Sequence, residues 1–461
     1  MALIKSISGI RGTIGGETGK GLTPVDIVKF TSAFATFLQE RHKKIDITLV
    51  VGRDARVSGE MVNYLVIGSL MGMGVNVIDT GLSTTPTVEM EVILSKADGG
   101  IILTASHNPM QWNALKLLNE KGEFINDVEG KRVLDIAEKE GFSFAEVTQL
   151  GKCHLFSNSI EKHIGSILQL PLVDVEAIRK KNFKIAIDCV NSTGGIAIPR
   201  LLKALGVENI VELYCEPNGI FPHNPEPLPE NLTEIAQTVV EQKCDLGIVV
   251  DPDVDRLALV CENGNMFGEE YTLVAVADYV LSSTIGNTVS NLSSSQALRD
   301  ITRKHGGNYS AAAVGEVNVV EMMKKTDAII GGEGNGGVIY PELHYGRDAL
   351  VGIALFLTYL AKKDISVSSL RKTYPEYHIS KNKIELTPDI DVDILLEKIT
   401  KLHSDKKINT IDGVKIEFEN EWVHLRKSNT EPIIRIYSES STPEKANHLA
   451  EMIINDIKKL I

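Results

Sequence analysis

The sequence predicts an α/β protein built of three α/β units followed by a smaller α+β domain. Helix-like stretches alternate with short β-branched strands, and most of these strands run directly into a polar or glycine-rich loop. The last ~90 residues differ, because charged strands precede a terminal amphipathic helix there. A chain of 461 residues, 43% of them hydrophobic, is long enough to bury several cores, so three or four domains are expected.

The first unit contains a predicted helix that opens at Thr23 and predicted strands at 46–51 and 100–103. The second of these strands runs straight into the segment that holds Ser106. A polar stretch near 140–157 then interrupts the pattern, which restarts after it. This interruption predicts the first domain boundary.

The second and third units repeat the order of strand and then loop. In the second unit a strand at 184–188 is closed by the polar segment 191–195, and a strand at 246–250 ends on an acidic cluster. In the third unit a strand at 327–330 precedes a glycine-rich loop, and a strongly apolar helix follows at 349–362. Three such units are the pattern expected of a divergent triplication. The predicted domains are, in chain order, residues 1–152, 153–261, 262–372 and 373–461.

Composition restricts the class of protein. The formal charge is −13 and acidic residues are spread along the chain, which argues against a protein that gains its affinity from nucleic-acid phosphates. The five cysteines are odd in number and form no CxxC pair, as expected of reduced thiols in the cytoplasm. The first residues contain no apolar signal core, and the longest apolar run, 350–361, is too short to span a bilayer. We therefore expect a cytoplasmic protein with neither nucleic acid nor membrane as a partner, and an anionic substrate would need a locally basic pocket.

Three carboxylates follow the predicted strand at 246–250, in the segment Asp251-Pro-Asp-Val-Asp-Arg256. In a tight loop Asp251, Asp253 and Asp255 turn toward one hard cation, and oxygen ligands of this kind suit Mg²⁺. Arg256 adds the positive charge that a bound phosphate needs. Two alternatives are a solvated acidic turn and an aspartyl-phosphate enzyme that uses Asp251 as its nucleophile.

Ser106 lies in Thr104-Ala-Ser-His-Asn-Pro109, where Asn-Pro favours an extended or turned backbone that presents the hydroxyl. A serine hydroxyl is a weak nucleophile at neutral pH, so a catalytic serine needs a base or a phosphoryl group already attached. A phosphate on Ser106 would pair with Mg²⁺ at the three aspartates, which makes Ser106 a further candidate metal ligand. The alternative is a plain Ser/Asn turn.

Two residues near Ser106 are candidates for proton transfer. His107 is placed to donate to a phosphate on Ser106, and a local structural donor is the alternative. Lys116 is a candidate general acid/base if desolvation and neighbouring positive charge lower its pKa, and otherwise a surface lysine.

Two further loops hold candidate binding residues. The segment Gly331-Gly-Glu-Gly-Asn-Gly-Gly337 carries a carboxylate, Glu333, and an amide, Asn335, which suit vicinal sugar hydroxyls. A nucleotide loop is the alternative, although the Lys-Ser/Thr ending of a P-loop is missing. A basic and hydroxylated turn near the C-terminus suits a phosphate, with a plain surface turn as its alternative. The candidates in this turn are Arg426, Ser428, Asn429 and Thr430.

These four loops, in this order and at these intervals, resemble those of the α-D-phosphohexomutase superfamily, which includes phosphoglucomutase, phosphomannomutase and phosphoglucosamine mutase. The resemblance spans the whole chain and rests on the segments TASHNP, DPDVDR and RKSNTEP. The opening Ser-Gly-Ile-Arg-Gly looks like the N-terminal Arg-Gly turn of the family and places Arg11 near the active site. The resemblance implies four domains around a central cleft, the first three of shared topology. In chain order these are the phosphoserine, metal-binding, sugar-binding and phosphate-binding domains.

The resemblance also implies a mechanism. Phosphorylated Ser106 gives its phosphoryl group to a hexose monophosphate, with Lys116 as the base, and Arg11, Arg256 and one Mg²⁺ per chain offset the charge. The resulting hexose 1,6-bisphosphate, which is also the implied activator, turns over and returns its other phosphate, so that the phosphate moves between C6 and C1. The implied partner is a small hexose phosphate, and the implied state is a monomer or homodimer. The sugar and its distal phosphate are implied to contact Glu316, Glu333, Asn335, Arg426, Ser428, Asn429, Thr430 and Arg435.

The sugar loop departs from the family pattern. Many members read Gly-Glu-x-Ser-Gly-His, whereas this chain has Asn335 in place of the serine and Gly337 in place of the histidine. The segment GEGNGG resembles the version in archaeal-type phosphosugar mutases. It does not fix the sugar among glucosamine, glucose and mannose, whereas SISGIRG and RKSNTEP favour a phosphoglucosamine mutase. The alternatives are a mutase of glucose or mannose phosphates, a phosphatase that hydrolyses its own phosphoenzyme, and a sugar-phosphate binding protein without activity.

Overall fold

The computed structural model of the chain describes residues 2–6, 9–386, 390–427 and 433–460. The chain packs as two units. The first comprises Met1–Tyr279 and Asn335–Leu370, and the second comprises Val280–Gly334 and Arg371–Ile461.

The N-terminal part of the first unit is a mixed sheet of seven strands, in the order β1-β2-β6-β5-β3-β4-β7. Strand β3 lies between β4 and β5 and is parallel to both, whereas β6 runs antiparallel to β5. The strands are β1 (Leu3–Ser6), β2 (Gly9–Thr13), β3 (Thr48–Arg53), β4 (Asn76–Leu82), β5 (Gly99–Leu103), β6 (Trp112–Leu118) and β7 (Cys153–Leu155). The helices are α1 (Pro24–His42), α2 (Gly59–Gly72), α3 (Thr85–Ser95) and α4 (Asp127–Glu138), with a 3₁₀ turn at Val147–Gln149.

The predicted helix start at Thr23 has a clear physical cause. The Thr23 side chain accepts from the backbone N–H of Asp26, and the Asp26 carboxylate accepts from the backbone N–H of Thr23, so two unpaired donors of the first turn are satisfied. Pro24 occupies the first helical position, where its missing N–H costs nothing. Helix α1 then buries its apolar face in the core beneath the sheet.

A second sheet in the first unit repeats this topology. Strand β8 lies between β9 and β10 and is parallel to both, and β11 runs antiparallel to β10. The strands are β8 (Lys184–Asp188), β9 (Asn209–Leu213), β10 (Leu246–Val250) and β11 (Leu257–Cys261). The helices are α5 (Ser159–Leu168), α6 (Val175–Lys181), α7 (Gly194–Ala204) and α8 (Thr233–Glu241), with a 3₁₀ turn at Pro229–Asn231.

The third segment has the same parallel arrangement, because β12 lies between β13 and β14 and is parallel to both. Its strands are β12 (Asn287–Asn291), β13 (Tyr309–Ala312), β14 (Ala328–Glu333) and β15 (Gly337–Ile339). Its helices are α9 (Glu269–Ser283), α10 (Ala297–Lys304), α11 (Glu316–Lys325), α12 (Ala349–Lys363) and α13 (Val367–Arg371). The prediction of three units of shared topology is therefore confirmed.

The glycine-rich segment differs from its prediction, because it begins as strand and not as loop. Strand β14 extends through Gly331 and Gly332 to Glu333. A Cβ on Gly331 would lie 2.5 Å from Met323 Sδ and 2.8 Å from the Val289 carbonyl oxygen, so the missing side chain allows close packing within the sheet.

The C-terminal part of the second unit is a smaller α+β domain, as predicted. Its sheet is antiparallel in the order β16-β20-β19-β18-β17. The strands are β16 (His378–Glu385), β17 (Lys407–Asn409), β18 (Val414–Glu417), β19 (Trp422–Lys427) and β20 (Ile433–Ser440), and the helices are α14 (Val392–Leu402) and α15 (Pro443–Leu460). The apolar face of α15, with Leu449, Ile453 and Ile457, packs in the core of this domain. Within the described residues, none of the helices is sufficiently long and apolar to cross a membrane.

Candidate active site

Ser106 lies in a strained turn that follows β5. Its φ is +51°, a left-handed conformation that is uncommon for a residue other than glycine and that concentrates at functional sites. The Ser106 backbone N–H donates to Thr104 Oγ1 over 2.9 Å, which holds the turn. The Ser106 hydroxyl donates to Asp251 Oδ2 over 2.9 Å, and His107 Nδ1 lies 3.3 Å from the same hydroxyl oxygen. The two loops that the sequence linked are therefore in direct contact.

A buried arginine, Arg56, holds the turn that contains Ser106 by hydrogen bonds. Arg56 is 1% exposed and pairs with Asp54 Oδ2 through its Nε at 2.9 Å. Its remaining guanidinium N–H groups donate to backbone carbonyls of the serine loop, namely those of Ser106, Asn108 (2.7 Å), Pro109 (2.8 Å) and Trp112 (3.1 Å). One side chain thus pairs with four backbone carbonyls of this loop and holds its conformation. The sequence reasoning missed this residue.

The acidic loop after β10 brings its three carboxylates together as predicted. Asp251, Asp253 and Asp255 are each fully buried, and one oxygen of each lies within 4.8 Å of the others. Asp251 Oδ1 accepts from the backbone N–H groups of Asp255 (3.1 Å) and Arg256 (3.2 Å), which closes the loop. Val254 has a φ of +63°, a costly conformation for a β-branched residue, so this loop is strained as well.

The carboxylate cluster fits a hard divalent cation. Asp253 Oδ1 and Asp255 Oδ1 are buried and have no hydrogen-bond partner in the described part of the chain. Burial and the neighbouring carboxylates of Asp255 and Asp253 raise the pKa of Asp251 well above its usual range, which indicates an excess of negative charge. Oxygen ligands with this excess charge suit Mg²⁺, which accepts carboxylates and keeps further positions for phosphate oxygens.

The predicted role of Lys116 required a lowered pKa, and the structure contradicts that lowering. It extends from β6, is buried, and donates from Nζ to Asp253 Oδ2 over 2.7 Å, with Asp255 Oδ2 at 3.6 Å. Burial alone would lower its pKa, but the Coulombic attraction of Asp253 and Asp255 outweighs burial, and the pKa is raised. The prediction that nearby positive charge lowers the pKa of Lys116 is therefore wrong. In this arrangement Lys116 is an ammonium.

Three other predicted residues surround Ser106. Arg11 donates from Nη1 to the Asn108 side-chain oxygen over 2.6 Å. Arg256 extends from the acidic loop, and its Nη1 lies 3.5 Å from Glu226 Oε1. Burial, followed by the charges of Arg256 and Arg11, lowers the pKa of His107 to about 2, so this imidazole is neutral at physiological pH. The surroundings of Ser106 thus combine three carboxylates with several fixed cations.

Arg347 is a further cation at this site that the sequence reasoning missed. Its Nη2 donates to Asp255 Oδ2 over 2.6 Å, and the residue is 8% exposed. The next residue, Asp348, caps α12 and lies 3.0 Å from His163 Nε2 and 3.3 Å from His344 Nε2. Burial would raise the pKa of Asp348, but the two histidines outweigh it and hold that pKa below its usual value. This buried network fixes the segment that carries Arg347.

The position of Arg347 also gives a physical reason for glycine at position 337, where the family pattern has histidine. A Cβ on Gly337 would lie only 2.4 Å from Arg347 Cδ and 3.0 Å from Arg347 Cγ. The aliphatic part of the arginine therefore occupies the space where a side chain at position 337 would begin. Gly337 N–H in turn donates to the side-chain oxygen of Asn335 over 3.3 Å.

Replacing Gly337 by alanine is expected to displace Arg347 from Asp255. We expect kcat/KM to fall about 10-fold, because the charge-assisted hydrogen bond that holds Asp255 in position is lost. Arg347→Met should have a similar effect, and the double variant should be no worse than either single variant. The control is Gly68→Ala, since a Cβ at position 68 meets no atom within 4 Å. Additive losses in the double variant would contradict the displacement.

The predicted sugar-binding residues Glu333 and Glu316 lie close together in the second unit. Glu333 Oε1 accepts from Asn291 Nδ2 over 2.8 Å and from the backbone N–H of Gly315 over 3.1 Å. Glu316 follows Gly315 directly and begins α11. Gly315 has a φ of +114°, which a residue with a side chain would adopt only under strain.

The predicted phosphate-binding arginines face each other across two strands of the second unit. Arg426 on β19 and Arg435 on β20 are direct partners in the antiparallel register. Arg426 Nε lies 3.6 Å from Asp412 Oδ2, and the same carboxylate oxygen accepts from the backbone N–H of Val314 over 2.9 Å. Arg426 is thereby linked to the turn that precedes Glu316. The other predicted members of this loop, Ser428, Asn429 and Thr430, lie outside the described residues.

Comparison with known proteins shows the family of the chain. The models of all four domains of the phosphoglucomutase/phosphomannomutase family match, with α/β/α domain I at 3–144, domain II at 161–264, domain III at 268–377 and the C-terminal domain at 390–456. A phosphoglucomutase/phosphomannomutase of Thermococcus kodakarensis is 35% identical over 98% of this chain and 98% of its own. A phosphoglucosamine/phosphogalactosamine mutase of Sulfurisphaera tokodaii is 32% identical over 100% of this chain and 99% of its own. The crystal structure of a phosphoglucomutase/phosphomannomutase family protein from Burkholderia thailandensis shares the fold, with a TM-score of 0.84, 24% identity, and coverage of 99% of this chain and 98% of that one.

The four-domain α/β architecture and these matches define an enzyme of the phosphohexomutase class, an isomerase that works by phosphoryl transfer. The chain belongs to the phosphoglucomutase/phosphomannomutase family. The family resemblance inferred from the four loops is thereby confirmed.

Proposed function

We propose that this enzyme is a phosphoglucosamine mutase that moves a phosphoryl group between C6 and C1 of glucosamine phosphate through phosphorylated Ser106. The observation that carries the proposal is the contact of 2.9 Å between the Ser106 hydroxyl and Asp251, beside two further buried carboxylates and the cations Lys116 and Arg347. A carrier hydroxyl and a divalent-cation site in contact are the parts that phosphoryl transfer requires.

In the proposed first step, a free hydroxyl of the hexose monophosphate attacks the phosphorus on Ser106. The bond between phosphorus and Ser106 Oγ breaks, the sugar hydroxyl loses its proton, and Ser106 Oγ gains one. The sugar becomes a hexose 1,6-bisphosphate, which turns over and returns its other phosphate to Ser106 in the reverse of this step. When bound by Asp251, Asp253, Asp255 and the phosphate on Ser106, Mg²⁺ supplies positive charge that offsets the phosphoryl oxygens. Arg11, Arg256 and His107 contact the same phosphoryl group in this proposal.

Lys116 remains the proposed proton carrier. In the structure it is an ammonium held by Asp253. Once that carboxylate is shared with another cation, the ammonium holds its proton less tightly, because the charge that raised its pKa is partly neutralised. We propose that Lys116 gives its own proton to Ser106 Oγ as the bond to phosphorus breaks, and that it takes the proton of the sugar hydroxyl in its place.

The proposed contacts to the sugar and to its distal phosphate are those that the sequence predicts. Glu333, Glu316 and Asn335 suit sugar hydroxyls. The distal phosphate is assigned to the basic loop, namely Arg426, Ser428, Asn429, Thr430 and Arg435. The proposed domains keep the predicted boundaries, 1–152, 153–261, 262–372 and 373–461.

Glucosamine phosphate is proposed as the sugar because the segments SISGIRG and RKSNTEP favour it, and because the Sulfurisphaera tokodaii relative is named for glucosamine and galactosamine phosphates. The relative from Thermococcus kodakarensis is named for glucose and mannose phosphates, which makes a mutase of those sugars the second candidate. We further propose that the enzyme is cytoplasmic, acts as a monomer or homodimer, and is activated by hexose 1,6-bisphosphate.

Mass spectrometry of the purified enzyme tests the phosphoserine. We expect one phosphate on the peptide that contains Ser106, and we expect it to leave that peptide when glucosamine 6-phosphate is added, with a hexose bisphosphate as the product. Chelation of Mg²⁺ should stop the transfer. A phosphate found on Asp251 would support an aspartyl-phosphate enzyme instead, and release of inorganic phosphate faster than isomer formation would support a phosphatase.

Comparison of kcat/KM for glucosamine, glucose and mannose phosphates then decides the sugar.

A further inference from the structure

We infer that the second unit contains a separate binding site for a small phosphate-bearing anion. The site is a cavity lined by residues of helix α10 and of strands β13, β17 and β18. The cavity has a volume of about 190 Å³. A cavity of about 150 Å³ holds a six-membered ring, so this one has room for a small phosphate ester or a pyrophosphate. None of the residues assigned above to phosphoryl transfer or to sugar binding lines it.

The charges that line the cavity oppose the charge of the protein. The chain carries a formal charge of −13, yet the cavity lining includes four cationic side chains and two carboxylates. The cations are Arg299, Arg303, Lys407 and Lys415, and the carboxylates are Glu417 and Glu421. Clustered cations in a cleft with protein walls concentrate anions from solution.

Carboxylates in and beside the lining interact with several of these cations. Glu417 Oε2 accepts from Lys407 Nζ over 2.8 Å and lies 3.9 Å from Arg299 Nη1, so one carboxylate serves two cations. Glu421 Oε1 accepts from the Ser440 hydroxyl over 2.6 Å. Arg299 Nε also lies 3.5 Å from Asp300 Oδ1, and the charge of Lys415 acts on the buried carboxylate of Glu439. An incoming phosphate would receive charge-assisted hydrogen bonds from the arginines that line the cavity.

Lys415 gives the cavity a buried and pre-positioned cation. The residue is 7% exposed, its Nζ donates to the Leu292 carbonyl oxygen over 2.6 Å, and the ammonium lies 3.9 Å from the centroid of the Trp422 ring. These contacts hold the ammonium in place at the cavity before an anion enters.

The cavity is connected to the sugar loop by hydrogen bonds. Ser294 lines the cavity, accepts from the Gly334 backbone N–H over 3.0 Å and donates to Asn291 Oδ1 over 3.1 Å. Asn291 in turn donates to Glu333 over 2.8 Å. An anion that moves Ser294 would therefore also move Glu333, so the bound anion is expected to change the turnover of the enzyme.

Calorimetric titration of pyrophosphate into the Ser106→Ala enzyme tests the site. The titration is made with glucosamine 6-phosphate at saturation, so that the active site is filled and does not turn over. We expect one equivalent to bind. In the double variant Arg303→Gln/Lys407→Gln the dissociation constant should rise at least about 10-fold, because two charge-assisted contacts are lost.

The matched control is Lys304→Gln/Lys406→Gln, which removes the same charge from exposed residues next in sequence but outside the cavity lining. This control should bind pyrophosphate as the parent does. With the Ser106 enzyme at saturating substrate, pyrophosphate should change kcat, and the cavity variant should lose that response. Equal weakening in both double variants would show nonspecific charge effects and overturn the inference, as would the lack of any binding beyond the filled active site.

Discussion

Replacement of Ser106 by alanine is expected to reduce kcat for hexose phosphate isomerisation by at least about 10³-fold while the fold is retained. A carrier residue that forms the covalent intermediate has no substitute, so its loss removes the reaction path and not merely a stabilising contact. The Ser106 side chain makes few contacts beyond Asp251 and His107, and alanine relieves none of the backbone strain at φ +51°. We therefore expect the melting temperature to change little. Initial rates with glucosamine 6-phosphate and thermal unfolding give the two measurements.

The control for this experiment is Ser157→Ala, because Ser157 is an exposed serine outside the site. It should retain the rate of the parent enzyme. The alanine variant at position 106 should also lose the phosphate seen by mass spectrometry. If Ser106→Ala isomerised hexose phosphates at a rate near that of the parent, the phosphoryl group would have another carrier.

The parts of the site that the sequence predicts are those encoded within one short segment. Ser106 and the triplet Asp251, Asp253 and Asp255 each follow a strand directly, so the strand fixes their position and the residue types alone indicate their chemistry. The shared topology of the first three domains was also predictable, since it follows from the regular order of strand, loop and helix.

The parts that the sequence does not predict depend on contacts between distant segments. Arg56 reaches the serine loop about 50 positions away, and Arg347 reaches Asp255 across 92 positions. The tetrapeptide Gly-Arg-Asp-Ala occurs at 52–55 and again at 346–349, which is a signal for Arg347, but the arginine of the first copy is Arg53 and not Arg56. The repeat alone does not tell which arginine is buried or what it contacts.

The pKa of Lys116 shows the same limit. A buried lysine near arginines predicts a lowered pKa, whereas a buried lysine near aspartates predicts a raised one. The sequence contains both kinds of neighbour, and only the position of β6 beside the acidic loop decides between them. Gly337 is a similar case, because its lack of a side chain is explained by an arginine ten positions further along the chain.

Replacement of Arg56 by methionine is expected to have the largest effect on stability of any change at the site. Arg56 is buried beside Asp54 and bonds four carbonyls of the serine loop. Removal of one partner of a buried ion pair costs about 3–5 kcal/mol. Burial already raises the pKa of Asp54, and without the arginine that carboxylate would be driven further toward its neutral form. We expect faster amide hydrogen exchange in residues 104–112 and a loss of activity that exceeds the loss of folded protein.

Two companion variants separate the charge of Arg56 from its hydrogen bonds. Asp54→Asn/Arg56→Met removes the unpaired carboxylate, so it should recover part of the stability but none of the activity, because the carbonyls of Ser106, Asn108, Pro109 and Trp112 remain without their donor. Arg56→Lys keeps the charge but has no planar fork, so it too should exchange fast at 104–112. Arg132→Met, at an arginine that is 47% exposed and pairs with Glu40, should change neither property. Full activity in Arg56→Lys would mean that Arg56 contributes only its charge, and that the serine loop keeps its strained turn without the four hydrogen bonds.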